Sequence, residues 1–145
     1  FANPKMGEWI DGAIDSDLCQ KGAIDTTAIY RTGPRLLQAE GGTYLCPTIV
    51  YCESMDHPLS NREFLCPYAS VVEVPQSDML NAIGPTLVVS AITKDETFKR
   101  QLLSASNIER LNLGPISTMK ISWDQPHEGN MFEFLYKRRS IGMAA

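Results

Sequence analysis

The fold of this 145-residue chain is decided by the stretch Glu40-Gly-Gly-Thr-Tyr-Leu-Cys-Pro-Thr-Ile-Val-Tyr-Cys52. Its paired glycines, Gly41 and Gly42, predict a turn, because glycine reaches backbone conformations that side chains disfavour. Pro47 then precedes Thr48–Cys52, a β-branched and aromatic segment that is typical of a strand. The sequence therefore predicts a turn that leads into a strand at this point.

Strands and helices alternate downstream of this stretch. Strands are predicted at Ala69–Val74 and Thr86–Thr93, helices at Asp78–Ile83 and Glu96–Ala105, and an alternating apolar pattern covers Ile108–Leu113. The continuous apolar run of the second of these strands predicts burial on both faces of a parallel or mixed sheet. Strands that alternate with helices indicate an α/β fold.

The caps of the two helices are also predicted. Ser77 has the residue type and position of an N-cap for the first helix, and Thr93 or Asp95 can cap the second. The side-chain oxygen of each would accept a hydrogen bond from an amide of the first turn, which has no partner within the helix.

The upstream residues and the tail are less regular. A helical spacing of apolar residues predicts an amphipathic helix over Gly7–Gln20, and Thr26–Gln38 is helical or turn-rich. In the tail, Met119–Trp123 is compatible with a strand. Met131–Arg139 fits either a helix with cations at its C-terminus or an edge strand.

Composition excludes several classes of function. The net charge is −4 and no run is strongly basic, so no nucleic-acid partner is expected. No apolar stretch is long enough to cross a bilayer, and no secretory signal is visible. The four cysteines include no Cys-x-x-Cys pair, so no metal site is predicted. Free, reduced cysteines favour a cytoplasmic location, with a mitochondrial one left open.

Residues 40–50 resemble the Gly-Gly…Pro-Thr segment of aldehyde dehydrogenases, and Arg62–Pro67 is similar to that family's Glu-Glu-Ile-Phe-Gly-Pro motif. Later strands and helices follow in the family's order, so the resemblance covers about residues 22–145. It implies that residues 1–145 form a single segment of an aldehyde dehydrogenase-like catalytic domain. That segment would have a parallel or mixed sheet flanked by helices and an oligomerisation-type tail.

The resemblance also implies a cofactor site at Glu63, Leu65 and Pro67. In the family, the second glutamate of the motif binds the hydroxyls of the nicotinamide ribose of NAD or NADP, and Glu63 has that position. An ionised carboxylate suits two vicinal hydroxyls. Leu65 stands where the family has a phenylalanine that packs on the nicotinamide, and Cys66 stands where it has glycine. The alternative is a loop glutamate that is solvated or paired with Arg62.

No catalytic residue is predicted in this chain. The family's nucleophilic cysteine lies well upstream of the Gly-Gly…Pro-Thr segment, and Cys19 is too near that segment and lacks the Gly-Gln-x-Cys neighbourhood. The general base and the dinucleotide-binding domain would lie further upstream. An asparagine of the family falls on Met119. His127, between Asp124 and Glu128, is interpreted as a structural turn residue. The alternatives are an acid–base role and a role in positioning the cofactor- or substrate-side loop. His57 is interpreted as a surface loop residue.

Two functions are consistent with these features. The first is the C-terminal segment of an NAD(P)-dependent aldehyde dehydrogenase-like oxidoreductase, which is not competent by itself. Its partner would be the remainder of such a protein or another subunit, in a homo-oligomer. The alternative is a non-catalytic aldehyde dehydrogenase-like interaction or structural protein, which the replacements at Leu65 and Cys66 favour. Upstream sequence with a Gly-Gln-x-Cys segment would distinguish the two.

Overall fold

A computed structural model describes residues 1, 3–39, 41–120, 122 and 135. Residues 1–75 and 76–145 form two compact units. Mixed α/β structure is present in both, as the sequence predicts. No helix in the described ranges is long and apolar enough to cross a membrane.

The first unit contains one long helix, a mixed sheet and a hairpin. Its elements are helix α1 (Pro4–Leu18) and strands β1 (Ala23–Asp25), β2 (Leu36–Ala39), β3 (Gly42–Leu45), β4 (Thr48–Cys52) and β5 (Tyr68–Val72). The sheet has the order β1-β4-β5, in which β1 runs antiparallel and β5 parallel to β4. Strands β2 and β3 form an antiparallel hairpin. The predicted turn at the paired glycines and the strand Thr48–Cys52 are therefore confirmed.

Helix α1 begins where the sequence supplies a cap. The side chain of Asn3 accepts a hydrogen bond from the amide of Lys5, and Pro4 occupies the first helical turn, where its missing N–H costs nothing. The predicted start at Gly7 was therefore three residues late. Ile10 and Ile14 are buried on the face that packs against the core. The other members of that core are Leu45, Val50, Cys52, Leu59 and Phe64.

A close approach between α1 and the hairpin occurs at Gly7. A Cβ atom built on this glycine would lie 2.9 Å from Cγ2 of Thr43 and 3.1 Å from Cδ1 of Leu36. Thr43 is fully buried. The helix therefore contacts the hairpin with its bare backbone, and a side chain at Gly7 would force the two elements apart.

A buried arginine ties three segments of the first unit together. Arg35, just before β2, donates hydrogen bonds from Nη1 to Asp11 (2.7 Å) and Asp15 (2.9 Å) of α1. Its Nη2 lies 3.4 Å from Oδ2 of Asp25 at the end of β1. Arg31 also pairs with Asp25. Burial acts to raise the pKa of the Asp25 carboxyl, but hydrogen bonds from Thr27 and the charge and hydrogen bond of Arg31 outweigh it, so the pKa is lowered.

The two faces of the mixed sheet differ in their surroundings. Thr48, Val50 and Cys52 of β4 are buried in the core, whereas the alternate residues of the same strand point to the other side. The strand register brings a set of uncharged residues together on that second face: Ile24, Ile49, Tyr51, Ala69 and Val71. Ile24, Ile49 and Val71 are 63%, 42% and 49% exposed. The described residues of the first unit therefore leave this exposed apolar sheet face without a covering layer.

The second unit contains helix α2 (Met79–Ile83), strand β6 (Thr86–Ala91), helix α3 (Glu96–Ser104) and strand β7 (Ile108–Leu113). Strands β6 and β7 pair in parallel, so the predicted alternation of strands and helices is confirmed here. The carboxylate of Asp95 caps α3 by accepting from the amides of Thr97 and Phe98. Asp95 was one of the two predicted caps.

The stretch Thr26–Gln38, for which helical or turn-rich structure is predicted, is turn-rich, with a 3-10 turn at Ala28–Tyr30 before β2 begins. Two other expectations from the sequence were wrong. Strand β6 is not buried on both faces, since Leu87 is 53% exposed and β7 is its paired neighbour among the described residues. Ser77 does not cap α2, whose N-cap position is taken by Asp78.

The tail leaves part of the predictions untested. Met119 lies in a turn rather than a strand. Residues 123–134 and 136–145, which include the segment Met131–Arg139, lie outside the described residues. The interpretation of residues 1–145 as a single domain segment stays a prediction.

Two glycines of α1 form a matched pair for testing the contact at Gly7. Gly7→Ala should destabilise the chain by about 1–2 kcal/mol, because overpacking against Thr43 and Leu36 outweighs the gain in helix propensity. Gly12→Ala should stabilise it by about 0.5–1 kcal/mol, since no atom beyond the neighbouring residues and the helix's own backbone lies within 4 Å of the added Cβ. Urea unfolding of both variants measures the difference. Equal stabilisation by both would contradict the close approach.

The cap of α3 predicts a pH dependence. The side chain of Gln76 and the amides of Phe98 and Thr97 hold the pKa of Asp95 below its usual value. A lowered native pKa means that the contribution to stability is complete above about pH 4 and is lost as the pH falls through the native value. Asp95→Ala should therefore melt earlier at neutral pH, with a difference that shrinks in acid. Asp95→Asn should keep the cap and lack this pH dependence, which amide exchange at Thr97 and Phe98 can follow.

Candidate functional site

The segment between β4 and β5 is anchored by an aromatic side chain. Phe64 is 8% exposed and belongs to the core, where its ring meets that of Tyr68 edge to face at 5.0 Å between centroids. The hydroxyl of Tyr68 donates to the carbonyl of Leu59. Burial raises the pKa of Tyr68 to about 12, so this hydroxyl keeps its proton. Phe64 therefore fixes the segment from its inner side.

Glu63 and Leu65, on either side of this anchor, lie on the surface. Glu63 is exposed, and its neighbour Arg62 pairs with Asp17 of α1 instead of with the Glu63 carboxylate. The alternative of an Arg62–Glu63 ion pair is therefore not what forms. An exposed carboxylate on an anchored backbone is available to accept hydrogen bonds from a ligand hydroxyl.

An open pocket of about 280 Å³ adjoins this segment. Leu65 and Pro67 line it together with Cys66, and the opposite side comes from Phe1 and the hairpin residues Thr43, Tyr44 and Leu45. Two of the three predicted cofactor-binding residues therefore share one pocket, and Glu63 lies outside its lining. Sequence reasoning missed the contribution of the hairpin. Its signal was Tyr44, an aromatic residue next to the paired glycines.

Leu65 and Cys66, which differ from the phenylalanine and glycine of the aldehyde dehydrogenase motif, both line this pocket. Leu65 is 79% exposed, so it presents an apolar surface that is not packed against other side chains. Cys66 is half-buried, and burial raises the pKa of its thiol above the usual value, although the charge of Arg35 opposes the shift. A protonated thiol is a weak nucleophile, so Cys66 contributes a small polarisable surface.

Cys19 and Cys52 lie in contrasting surroundings. Cys19 is exposed at the C-terminal end of α1. Cys52 is buried in the core, and desolvation raises the pKa of its thiol. No group of three or more potential ligands for a metal ion occurs within the described ranges of the chain.

The surface position predicted for His57 was wrong. Its side chain is 8% exposed, because the loop after β4 folds inward and covers the imidazole. The amide of Leu59 donates to Nδ1 at 3.1 Å, and the sulfur of Cys52 lies 3.9 Å from the same atom. The histidine therefore organises its own loop. His127, with Asp124 and Glu128, lies outside the described residues.

No protein-family model matches the sequence, and the curated proteins contain no significant match. Solved structures do match the fold. Lactaldehyde dehydrogenase from Escherichia coli superposes on 87% of this chain with a TM-score of 0.65 at 12% identity. Delta-pyrroline-5-carboxylate dehydrogenase from Mycobacterium tuberculosis superposes on 88% with a TM-score of 0.62 at 15% identity.

The matched part is a minor share of those enzymes. This chain spans 25% of the first structure and 23% of the second. The likeness confirms the resemblance to aldehyde dehydrogenases at the level of fold. The chain accordingly has the fold of about a quarter of an aldehyde dehydrogenase.

Proposed function

We propose that this chain is the C-terminal segment of the catalytic domain of an NAD(P)-dependent aldehyde dehydrogenase-like oxidoreductase. The reaction would oxidise an aldehyde to a carboxylic acid or an acyl product. The observation that carries the proposal is the fold likeness, since nearly nine-tenths of the chain superposes on about a quarter of two such enzymes. The chain alone would be incompetent, because the nucleophile, the general base and the dinucleotide-binding domain are expected upstream.

The residues of the motif segment fit a role on the nicotinamide side of the cofactor. The bound cofactor would accept a hydride in this chemistry. Glu63 would accept hydrogen bonds from ribose hydroxyls, for which its exposed carboxylate is available. Leu65 and Pro67 would supply apolar contact, since both line the adjoining pocket. The hairpin residue Tyr44 lies across that pocket and would limit its width.

The partner in this proposal is the remainder of the same kind of protein, on the same or another chain. Support comes from the exposed apolar sheet face formed by Ile24, Ile49, Tyr51, Ala69 and Val71. Parallel strands in α/β proteins are covered on both faces, and β4 and β5 are parallel. An apolar face of this kind marks a contact surface. A homo-oligomer in the cytoplasm, or in mitochondria, completes the proposal.

A second function is favoured by a specific observation at Leu65 and Cys66. A non-catalytic aldehyde dehydrogenase-like interaction protein has no need of the flat ring or the bare glycine backbone that the family uses at these positions. The same apolar face would then serve a structural partner. The two functions differ in whether the intact protein binds NAD(P) through Glu63, which is open to a direct test.

Replacing Glu63 with glutamine in the intact protein tests the proposed function. The change keeps size and removes the charge. Because a hydrogen bond to a charged group contributes about 1.5–3 kcal/mol, cofactor affinity or hydride transfer should fall roughly tenfold or more. Thermal stability should change little, since Glu63 is exposed. Cofactor titration and thermal melting provide the two measurements.

Glu53→Gln is the matched control, because Glu53 is an exposed glutamate in the loop that follows the same strand. It should leave cofactor affinity unchanged. If Glu63→Gln behaves like this control in cofactor titration, the ribose-binding role is wrong and the interaction protein becomes the better explanation.

The exposed apolar sheet face predicts self-association of the isolated chain. Adding charge there, as Ile49→Lys with Val71→Lys, should reduce the apparent mass in sedimentation, because a lysine on this face opposes its burial against another molecule. Leu37→Lys is the control, since Leu37 is 43% exposed but lies in the hairpin. A chain that is monomeric before any substitution, or equal effects from the two changes, would contradict the role of this face.

A further inference from the structure

The side chain of Arg62 makes two contacts, one with helix α1 and one with the core residue Phe64. Its Nη1 donates to the carboxylate of Asp17, 45 residues earlier in the chain and near the end of α1. Its guanidinium carbon lies 5.3 Å from the centroid of the Phe64 ring. The side chains of Asp17 and Arg62 are 13% and 38% exposed, so the ion pair is shielded on the Asp17 side from the screening that weakens surface pairs.

These contacts restrain the backbone on both sides of Glu63. Arg62 precedes it and is held by α1, and Phe64 follows it and is held by the core. The amide of Cys66 then donates to the carbonyl of Phe64 at 2.8 Å, which closes the segment into a tight bend. The conformational freedom of Glu63 is therefore mainly that of its own side chain.

Asp17 has a second effect, which is electrostatic. Arg62 is the nearest cation in sequence to Glu63, and a guanidinium without another partner would turn to that carboxylate. The ion pair with Asp17 engages the guanidinium elsewhere. The carboxylate of Glu63 is exposed, and the Arg62 guanidinium pairs with Asp17 instead.

We propose that Arg62 is a positioning residue for Glu63 and that Asp17 is its anchor on α1. The pair would order the segment before any ligand arrives and keep the Arg62 cation away from the Glu63 carboxylate. A preordered group loses less conformational entropy when it binds. The ligand that Glu63 would hold rests on the proposed function, whereas the order of the segment does not.

Amide hydrogen exchange of this 145-residue chain tests the proposal without a cofactor. The variants are Asp17→Asn and Arg62→Met, alone and together. Each single variant should speed exchange of the Cys66 amide about threefold, the size expected for a partly exposed ion pair. Because both substitutions remove the same ion pair, the double variant should accelerate exchange of the Cys66 amide by less than the product of the two single accelerations. The amide of Cys46, which donates to the carbonyl of Arg35 at 2.9 Å, should be unaffected.

A general loss of stability would give a different pattern. Equal acceleration at Cys66 and Cys46, or no acceleration at Cys66, would overturn the proposal. Arg62→Lys provides the conservative variant, because it keeps the charge and loses the planar group that lies over Phe64. It should restore part of the protection at Cys66 that Arg62→Met removes, and failure to do so would also count against a role for the ion pair.

The result of the hydrogen-exchange experiment can be distinguished from the result of the cofactor titration. If Cys66 responds as expected but Glu63→Gln leaves cofactor affinity unchanged in the intact protein, the positioning role stands and the cofactor assignment fails. If Glu63→Gln weakens the cofactor while Cys66 does not respond, the assignment stands and the positioning role fails.

Discussion

The first unit depends on one buried cation, the guanidinium of Arg35. It is shared among carboxylates from α1 and β1, and the residue itself leads into the hairpin. A buried charge is costly unless opposite charges and hydrogen bonds surround it, so the three segments must lie close together. This constraint sets helix α1 against the hairpin, and the bare backbone at Gly7 makes the approach sterically possible. The pocket beside Leu65 has the same hairpin as its opposite side.

The candidate site depends on that arrangement rather than on a local motif alone. Arg62 pairs with Asp17 of α1, the same helix that Arg35 contacts through Asp11 and Asp15. Phe64 fills the core between this helix and the sheet, so the residues beside it face outward. The site combines the exposed carboxylate of Glu63 with an adjoining pocket that Leu65 and Pro67 line.

The exposed apolar sheet face is a second feature of the first unit. Its members come from three strands whose register aligns them, and no charge interrupts them. Such a face is expected where a sheet is one layer of a larger domain, because both faces of parallel strands are normally covered. In the second unit, strand β6 is also incompletely buried, since Leu87 is 53% exposed. Both features accompany a fold that corresponds to about a quarter of the matched enzymes.

The sequence by itself determined the elements with strong local signals. Thr48–Cys52, the helix capped by Asp95 and the α/β class follow from β-branched runs, caps and glycine turns, which act within a few residues. The tertiary structure decided the rest. The burial of His57, the pairing of β2 with β3, and the pairing of Arg62 with Asp17 all depend on contacts outside each local segment. Local propensity is weak beside such contacts, because burial and charge pairing are set by whatever packs against a residue.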